Sequence, residues 1–190
     1  MGTPCTPPNA KLICGILTAD DDLLTEARRR LDRIFGPVDI TDGPWPFDTT
    51  DYYTDEMGIG LRRWFVAFSQ LVPPDRLAEI KHATNRIETD LADQHRTPTR
   101  RRPVNLDPGY VALEKLVLAT TKNHAHRIYI GDRMYGEVTL RYTDGRWQPW
   151  PWTFPDYARE TYHPFLTRAR DALHAQLNTV GAEERDPCPS

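Results

Sequence analysis

His124 and His126 stand two positions apart in the chain. In an extended segment both imidazoles would face the same side, a geometry that some zinc and iron sites use. A metal site needs a third ligand, which Glu137 or Asp107 would have to supply. The spacing is short and occurs often by chance, so we assign no metal ligands from it.

Anion binding is a second possible chemistry, because the middle of the chain is basic. Residues 96–146 carry 10 basic and 5 acidic side chains, whereas residues 1–95 carry 10 basic and 16 acidic ones. Lys122, Arg127 and the arginines between positions 96 and 102 could together bind a phosphate group. A solvated hairpin would show the same pattern, and the chain has neither a P-loop nor a G-x-G-x-x-G motif after a strand.

Two further sets of polar residues follow a regular spacing. Lys81, Asn85 and Glu88 recur at helical spacing, and they form either a polar site face or a solvated face. On a strand predicted over residues 134–142, strict alternation gives one apolar face. The other face then carries Tyr135, Glu137, Thr139 and Arg141. Such a face could hold a ligand, but cross-strand ion pairs at a solvated surface are slightly favoured.

An aromatic segment interrupted by prolines follows this strand. Its members are Trp147, Trp150, Trp152, Phe154 and Tyr157. These rings could stack on a sugar or a base. Because large aromatic side chains are mostly buried, a cover lying across a sheet edge or core is the favoured interpretation.

The elements that must position these residues are strands and helices in the order β-α-β-β-α, followed by further strands and a helix. We predict strands at 11–17, 47–53, 62–72, 104–111 (interrupted by a turn or bulge at 107–109), 116–121, 127–130, 134–142 and 146–150, and helices at 23–35, after Pro73-Pro74-Asp75, and at 156–177. The first and third strands are apolar on both faces, as the central strands of a split βαβ unit must be. We therefore predict an α+β fold with a ferredoxin-like split βαβ core (β-α-β-β-α-β), extended by an antiparallel hairpin and a C-terminal helix.

Length and composition fit one soluble domain. A chain of 190 residues with 39% hydrophobic and 27% charged residues can bury a core of its own. We predict a disordered tail at 1–10, a single α+β domain at 11–178 and a disordered tail at 179–190. Three cysteines are too few for a secreted disulfide framework, which favours a cytoplasmic location. No signal segment and no run near the ~20 apolar residues of a membrane span is present, so we expect no membrane partner.

Several short motifs follow one another along the chain. They are TDYY at 50–53 with EMG at 56–58, Lys81 and Asn85 with Ile87-Glu88, NLDPGY at 105–110, KLVLATTK at 115–122, HRIY at 126–129 and WTFPDY at 152–157. Together they resemble the bacterial family known as domain of unknown function 4416, over about residues 10–175. The resemblance implies no established activity.

The resemblance does imply a set of polar positions that belong to the family pattern. These positions are Glu56, Lys81, Asn85, Glu88, Asn105, Asp107, Lys122, His126, Arg127, Glu137 and Asp156. His124 is not among them, which weakens the metal hypothesis further.

Two functions from different classes remain open. The first is a site that binds, and in one version acts on, an anionic or phosphorylated small molecule or nucleotide. Its catalytic candidates are Glu56, Asp107, His126 and Glu137, and its ligand-binding candidates are Lys81, Asn85, Glu88, Asn105, Lys122 and Arg127. The second is a non-catalytic module that binds RNA or a protein partner. RNA is less favoured as a ligand than a phosphorylated small molecule or nucleotide. Convergence of these residues would favour the first function, and scatter over a flat basic sheet the second. The sequence identifies no cofactor, substrate or oligomeric state.

Overall fold

A computed structural model describes residues 4–48, 50, 52–98 and 100–180 of the chain. Strands and α-helices alternate in the first half of this part, and strands dominate the second. The elements are β1 (Ala10–Thr18), α1 (Asp21–Phe35), β2 (Val38–Pro46), α2 (Thr54–Met57), β3 (Arg62–Val72), α3 (Leu77–His95), β4 (Asn105–Val111), β5 (Lys115–Thr120), β6 (Ile128–Gly131), β7 (Met134–Thr143), β8 (Arg146–Pro149) and α4 (His163–Val180). Single 3₁₀ turns at Pro74–Arg76 and Glu160–Tyr162 lead into α3 and α4.

All these strands belong to one antiparallel sheet. Seven of them lie in the order β2-β3-β1-β4-β5-β7-β6, and β8 pairs with β7. β1 lies in the interior of the sheet, and each of its nine residues is buried. A strand that is apolar on both faces needs a cover on both, and helices provide it here. The predicted α+β class is confirmed.

The helices form a layer on each face of the sheet. Alternation along β1 directs Leu12 and Ile16 into the core shared with α1 and α3. Ile13 points to the opposite face, where α4 packs. There Phe65 of β3 stacks on Phe165 of α4 with their ring centroids 5.1 Å apart. Two apolar layers therefore enclose the sheet.

Capping residues at its two ends explain why α1 lies where the sequence predicts a helix. The Asp20 carboxylate accepts hydrogen bonds from the backbone N–H groups of Asp22 (3.0 Å) and Leu23 (3.1 Å), which caps the helix. Gly36 ends it with a positive φ of 87°, a conformation that glycine adopts without strain. The strand predicted at 62–72 coincides with β3, and α3 begins after the predicted prolines.

The strand predicted at residues 47–53 is wrong. Residues 49 and 51 lie outside the described part of the chain, and none of the others in this range forms a strand. The sheet instead uses β2, which pairs only with β3 and so lies at the edge. β2 contains Pro44 and Pro46. Prolines are tolerated in an edge strand because one of its sides has no ladder partner, and they disguised this strand as a connection.

The turn or bulge predicted at residues 107–109 is also wrong, because β4 continues through these residues without a register shift to β1. Pro108 pairs with Cys14 of β1, and the ladder to β5 begins only at Gly109. A Cβ atom on Gly109 would stand 2.3 Å from the carbonyl oxygen of Val117 and 2.6 Å from a methyl group of Leu118. The glycine therefore allows β5 to approach closely and makes no turn.

The predicted polar face of β7 is wrong for two of its members. Between Leu116 and Val117 of β5 the pairing register to β7 shifts by one residue. This bulge interrupts strict alternation, so Glu137 is only 2% exposed and Thr139 is fully buried. Glu137 pairs with Leu118, whose side chain belongs to the core beneath α4.

The C-terminal helix begins later than predicted, at His163 and not at residue 156. Pro164 explains the difference, because proline is favoured in the first turn of a helix and disrupts a helix that continues through it. The helix extends through Val180, two residues past the predicted end of the domain. Residues 181–190 of the predicted C-terminal tail, and residues 1–3 of the N-terminal one, lie outside the described residues.

Within the described residues, no helix has both the length and the apolar character that crossing a bilayer requires. Cys14 is a buried free thiol. The cytoplasmic location stays a prediction.

Candidate functional site

Arg63 is the centre of a buried polar network at one end of the sheet. Its side chain is 2% exposed. Its Nη1 donates to Oδ2 of Asp107 at 2.7 Å, and its Nη2 donates to Oδ2 of Asp156 at 3.2 Å. Strand pairing creates the contact between Arg63 and Asp107. Gly15 of β1 pairs with Phe65 of β3 on one side and with Asp107 of β4 on the other, and Arg63 lies two residues before Phe65 on the same strand. One arginine thus holds two carboxylates.

Arg102 extends the network around the start of β4. Its Nη2 donates to Oε2 of Glu88 at 2.7 Å, and it also donates to the side-chain oxygen of Asn105. The Asn105 amide nitrogen donates to Oδ2 of Asp107 at 2.8 Å. A continuous chain of hydrogen bonds therefore joins a carboxylate of α3 to Arg63. We call Lys81, Glu88, Arg102, Asn105, Asp107, Arg63 and Asp156 the Arg63 network.

Two charged side chains of α3 hold the main chain of β4 in this network. Lys81 Nζ donates to the carbonyl oxygen of Leu106 at 2.8 Å. Oε1 of Glu88 accepts from the backbone N–H of Leu106 at 2.7 Å. β5 does not reach this part of β4, since its ladder begins at Gly109. Lys81 and Glu88 therefore satisfy main-chain groups that a neighbouring strand would otherwise satisfy.

The charges of the Arg63 network balance. Three cations, Lys81, Arg63 and Arg102, face the three carboxylates of Glu88, Asp107 and Asp156. Burial alone would raise the pKa of Asp107, but the surrounding cations, with Arg63 first, outweigh it and hold that pKa below its usual value. For Asp156, burial outweighs the attraction of Arg63, and its pKa is raised. The two carboxyls that share Arg63 thus have pKa values shifted in opposite directions.

Glu56 and Asn85, both predicted site residues, lie at or beyond the rim of this network. The Glu56 side chain is 52% exposed, with Oε2 3.9 Å from Nη1 of Arg102. Its carbonyl oxygen accepts the backbone N–H of Arg102 at 3.0 Å. Asn85 is half-buried on α3, where its carbonyl oxygen accepts from the Thr89 hydroxyl at 2.9 Å.

Three other predicted residues, Lys122, His126 and Arg127, lie around the buried Glu137 carboxylate. Oε2 of Glu137 accepts from Nε of Arg127 at 2.8 Å and lies 3.1 Å from Nε2 of His126. The Arg127 side chain is 4% exposed, and its Nη1 donates to the carbonyl oxygen of Lys122 at 3.2 Å. We call Lys122, His126, Arg127 and Glu137 the Glu137 network. The bulge in β7 makes it possible, because it brings Glu137 to the covered face.

The ammonium group of Lys122 lies at the surface above this network. It contacts the hydroxyl of Tyr52 and lies 4.3 Å from the centroid of that ring. No carboxylate in the described part of the chain comes within ion-pair distance of it. Tyr52 packs edge-on against Tyr53, with centroids 5.0 Å apart. Burial and, after it, the charge of Asp107 raise the pKa of Tyr53.

Residues 150–157, which we call the strap, pass over both networks. Oγ1 of Thr153 donates to the carbonyl oxygen of Thr139 at 2.5 Å, which fastens the strap to β7. The ring of Trp152 stacks on His126 with centroids 5.6 Å apart. Farther along, Phe154 lies under the Arg127 guanidinium at 5.5 Å, and Asp156 reaches Arg63. The aromatic segment thus lies across both networks, while the rings of Trp152 and Phe154 remain partly exposed.

Arg63 is the residue that sequence reasoning missed. Alternation along β3 places it on the same face as Phe65 and Ala67, both of which are buried. An arginine on the apolar face of a central strand is rare, because a buried charge must be paired. An arginine at an apolar position of the alternating pattern in β3 was therefore the feature from which Arg63 could have been predicted as a site residue.

A cluster of metal ligands and a surface cleft are two further features that could mark a site. In the part of the chain that the structure describes, no group of three histidine, cysteine or acidic side chains is assembled around one point. A surface cleft of about 340 Å³ opens between α1 and α3 and belongs to neither network. Its lining residues are Arg29, Arg30, Arg33, Ile34, Ile87 and Asp90.

The comparisons with known proteins give one match. The model of a family described as a domain of unknown function, DUF4416, matches residues 8–173. No curated protein and no solved structure matches the chain.

Proposed function

The chain belongs to the DUF4416 family, and from that premise we propose that it binds an anionic or phosphorylated small molecule, such as a nucleotide, beside Lys122. One observation carries the proposal. The Lys122 ammonium is exposed and contacts a phenol, while the basic and acidic side chains beneath it are paired with one another. Its charge is therefore free to bind an anion.

Nearby aromatic rings support a ligand that carries a planar group. Tyr52 is 61% exposed, Trp152 39% and Phe154 43%, and they lie next to Lys122, His126 and Arg127, respectively. Exposed rings beside a cation suit a compound with both a phosphate and a base or sugar, because stacking and charge then act together.

His126 and Glu137 would allow the site to act on its ligand. A carboxylate 3.1 Å from Nε2 favours the tautomer that carries its proton on Nε2. Nδ1 would then be the free basic nitrogen, oriented by a buried acid as in many general-base pairs. Glu56 and Asp107 remain further acid–base candidates, and Lys81, Asn85, Glu88, Asn105 and Arg127 remain candidates for holding the ligand or the site.

The alternative function, a module that binds RNA or a protein through an open sheet, has less support. Helices cover both faces of the sheet over its first four strands. The exposed Ile128 and Tyr129 on the edge strand β6 are the features that favour it. For the fold, the strand order β2-β3-β1-β4 with α1 and α3 on one face supports our inference of a ferredoxin-like split βαβ core.

A thermal-shift screen with nucleotides, sugar phosphates and divalent cations tests the proposal. A ligand present at about 100 times its Kd should raise Tm by roughly 5–10 °C in a chain of this size. Lys122→Ala should abolish that shift. Lys115→Ala is the matched control, since Lys115 is an exposed lysine at the other end of β5. A panel without any shift, or a shift that survives Lys122→Ala, would refute the site.

A further inference from the structure

The surface cleft between α1 and α3 contains no member of either network. Its volume of about 340 Å³ lies within the range of small-molecule pockets, which is about 300–1,000 Å³. All the side chains that line it come from these two helices, four from the last two turns of α1 and two from the second half of α3. Helix geometry therefore fixes which of them are neighbours.

Three of the lining residues are arginines of α1. Arg33 stands four positions after Arg29 and three after Arg30, so it is a surface neighbour of both. Arg29 and Arg30 share one carboxylate, Glu26, which accepts from their Nε atoms at 2.8 and 2.7 Å. Nη1 of Arg30 also lies 3.8 Å from Oδ2 of Asp90. Two of the three arginines thus have acidic partners.

Arg33 is the third, and its side chain is exposed. No carboxylate among the described residues lies within ion-pair distance of it. The neighbouring carboxylate of Asp32 accepts the backbone N–H of Val38 at 2.8 Å instead. Three arginines therefore face only the carboxylates of Glu26 and Asp90, which leaves one positive charge unbalanced. The planar fork of an arginine matches the oxygens of a carboxylate or phosphate.

Two isoleucines give the same cleft an apolar part. Ile34 lies three residues after the buried Leu31 and so continues the apolar stripe of α1, yet it is 52% exposed. Ile87 of α3 belongs to the core beneath the helices and is 3% exposed. An exposed apolar side chain next to an unpaired cation suits a ligand with both an apolar chain and an anionic group, because burial and charge then stabilise the same complex.

We infer that this cleft binds a small anionic amphiphile, a carboxylate or phosphate that carries an aliphatic chain. Arg33 binds the anionic group, and the chain lies along Ile34 and Ile87. Asp90, the acidic member of the lining, repels the anionic group and limits the affinity. The cleft does not include Lys122, so the inference goes beyond the function proposed above and does not depend on it.

Isothermal titration calorimetry of the full chain with four probes tests the two parts of the cleft. Octanoate and octyl phosphate carry both a chain and a charge, acetate carries the charge alone, and octanol carries the chain alone. At least one of the two amphiphiles should bind roughly tenfold more tightly than acetate and than octanol, and the tighter one identifies the preferred anionic group. Octanol binding as tightly as both amphiphiles, or no binding of either amphiphile, would overturn the inference.

Variants of the lining assign the binding to the cleft. Arg33→Ala should weaken binding of the tighter amphiphile roughly fivefold or more. Arg28→Ala is the matched control, because Arg28 is an exposed arginine of the same helix that does not line the cleft. Binding that is unchanged by Arg33→Ala, or weakened equally by both substitutions, would contradict the role given to Arg33.

Two further variants make the test independent of any damage to the fold. Asp90→Asn removes an exposed charge that repels the ligand, so it should tighten binding, and an unchanged or weaker affinity would refute the site. Lys122→Ala should leave binding of the amphiphile intact. Loss of binding in that variant would assign the ligand to the surface beside Lys122 and overturn the inference, whereas failure of the nucleotide screen alone would leave it standing.

Discussion

Oε1 of Glu88 accepts the backbone N–H of Leu106 at 2.7 Å, so a helix carboxylate takes the place of a strand partner beside β4. The same side chain receives Nη2 of Arg102 at 2.7 Å and lies 3.9 Å from Nζ of Lys81. A single residue of α3 thereby fixes the start of β4 and the chain of hydrogen bonds that leads to Arg63. The stability of this end of the sheet should depend on it.

Glu88→Ala should lower the free energy of unfolding by about 3–5 kcal/mol, because it leaves buried cations and a backbone N–H without their partner. Glu88→Gln should lower it less, since the amide oxygen can still accept from Leu106. Urea unfolding measures both. Glu26→Ala removes a carboxylate from an exposed helical ion pair and should change stability far less. Equal losses for Glu88→Ala and Glu26→Ala would contradict the role given to Glu88.

Two glycines of the sheet should differ in their tolerance of alanine. Gly15→Ala brings a methyl group within 3.0 Å of Arg63 and Tyr157, side chains that can shift slightly. We expect a loss of about 1–3 kcal/mol, as for other overpacked interiors. Gly109→Ala meets the carbonyl oxygen of Val117 at 2.3 Å, and backbone cannot yield as a side chain can. Thermal unfolding should therefore show Gly109→Ala as the less stable variant, and the reverse order would be inconsistent with the close approach of β5.

Asp107 and Asp156 should affect the pH dependence of stability in opposite directions. The pKa of Asp107 is lowered in the folded protein, so its ionised form stabilises the fold above the unfolded pKa of about 3.9, and this is lost as pH falls through the folded pKa. The pKa of Asp156 is raised, so its stabilising contribution is complete below about pH 3.9 and is lost as pH rises through the folded value.

Asparagine variants measure these two dependences. Asp107→Asn should be less stable than the wild type at pH 7, with a difference that shrinks below about pH 3.9. For Asp156→Asn, stability relative to the wild type should increase between about pH 3.9 and pH 7, because the variant avoids a poorly accommodated charge. Urea unfolding across this range gives both curves. Parallel curves for the two variants would show that the carboxyls do not differ as described.

Thr153 should control the mobility of the strap. Thr153→Val removes the hydroxyl that donates to Thr139 at 2.5 Å and accepts the backbone N–H of Trp150 at 2.8 Å. We expect a global loss of about 1 kcal/mol and faster hydrogen exchange in residues 150–157. Thr25→Val, at an exposed hydroxyl within α1, provides the control. Strap amides that exchange at the same rate in both variants would refute this fastening.

Cys14 should be chemically inert in the folded protein. Burial, reinforced by the negative charge of Asp107, raises the pKa of this thiol well above its usual value. Alkylation at pH 8 should therefore modify Cys14 only at the rate of unfolding and become rapid in urea. Mass spectrometry of the peptide that contains residue 14 follows the reaction, and prompt labelling without denaturant would disprove the burial of this residue.

Local chemistry in the sequence was enough for several elements. Asp20 and Gly36 fix the ends of α1, and the β6–β7 turn at Asp132 and Arg133, whose φ angles are 47° and 63°, follows from its Gly-Asp-Arg sequence. β1 and β3 are apolar on both faces, which predicts central strands. The site was also partly predictable, since Lys81, Glu88, Asn105 and Asp107 lie in one network, and Lys122, His126, Arg127 and Glu137 in the other.

The roles of β2, Gly109 and Glu137 were decided by the pairing of strands in the tertiary structure, because each role depends on which strand lies next to which. Only the sheet order makes β2 an edge strand that tolerates prolines, and only the approach of β5 gives Gly109 its role. The β5–β7 register shift turns Glu137 inward, which no alternation rule within β7 could reveal. The sequence alone predicted most of the polar residues of the two networks, but it did not predict Arg63. Pairing across the sheet joined them to Arg63 and placed the strap over them, because such contacts link residues far apart in the chain.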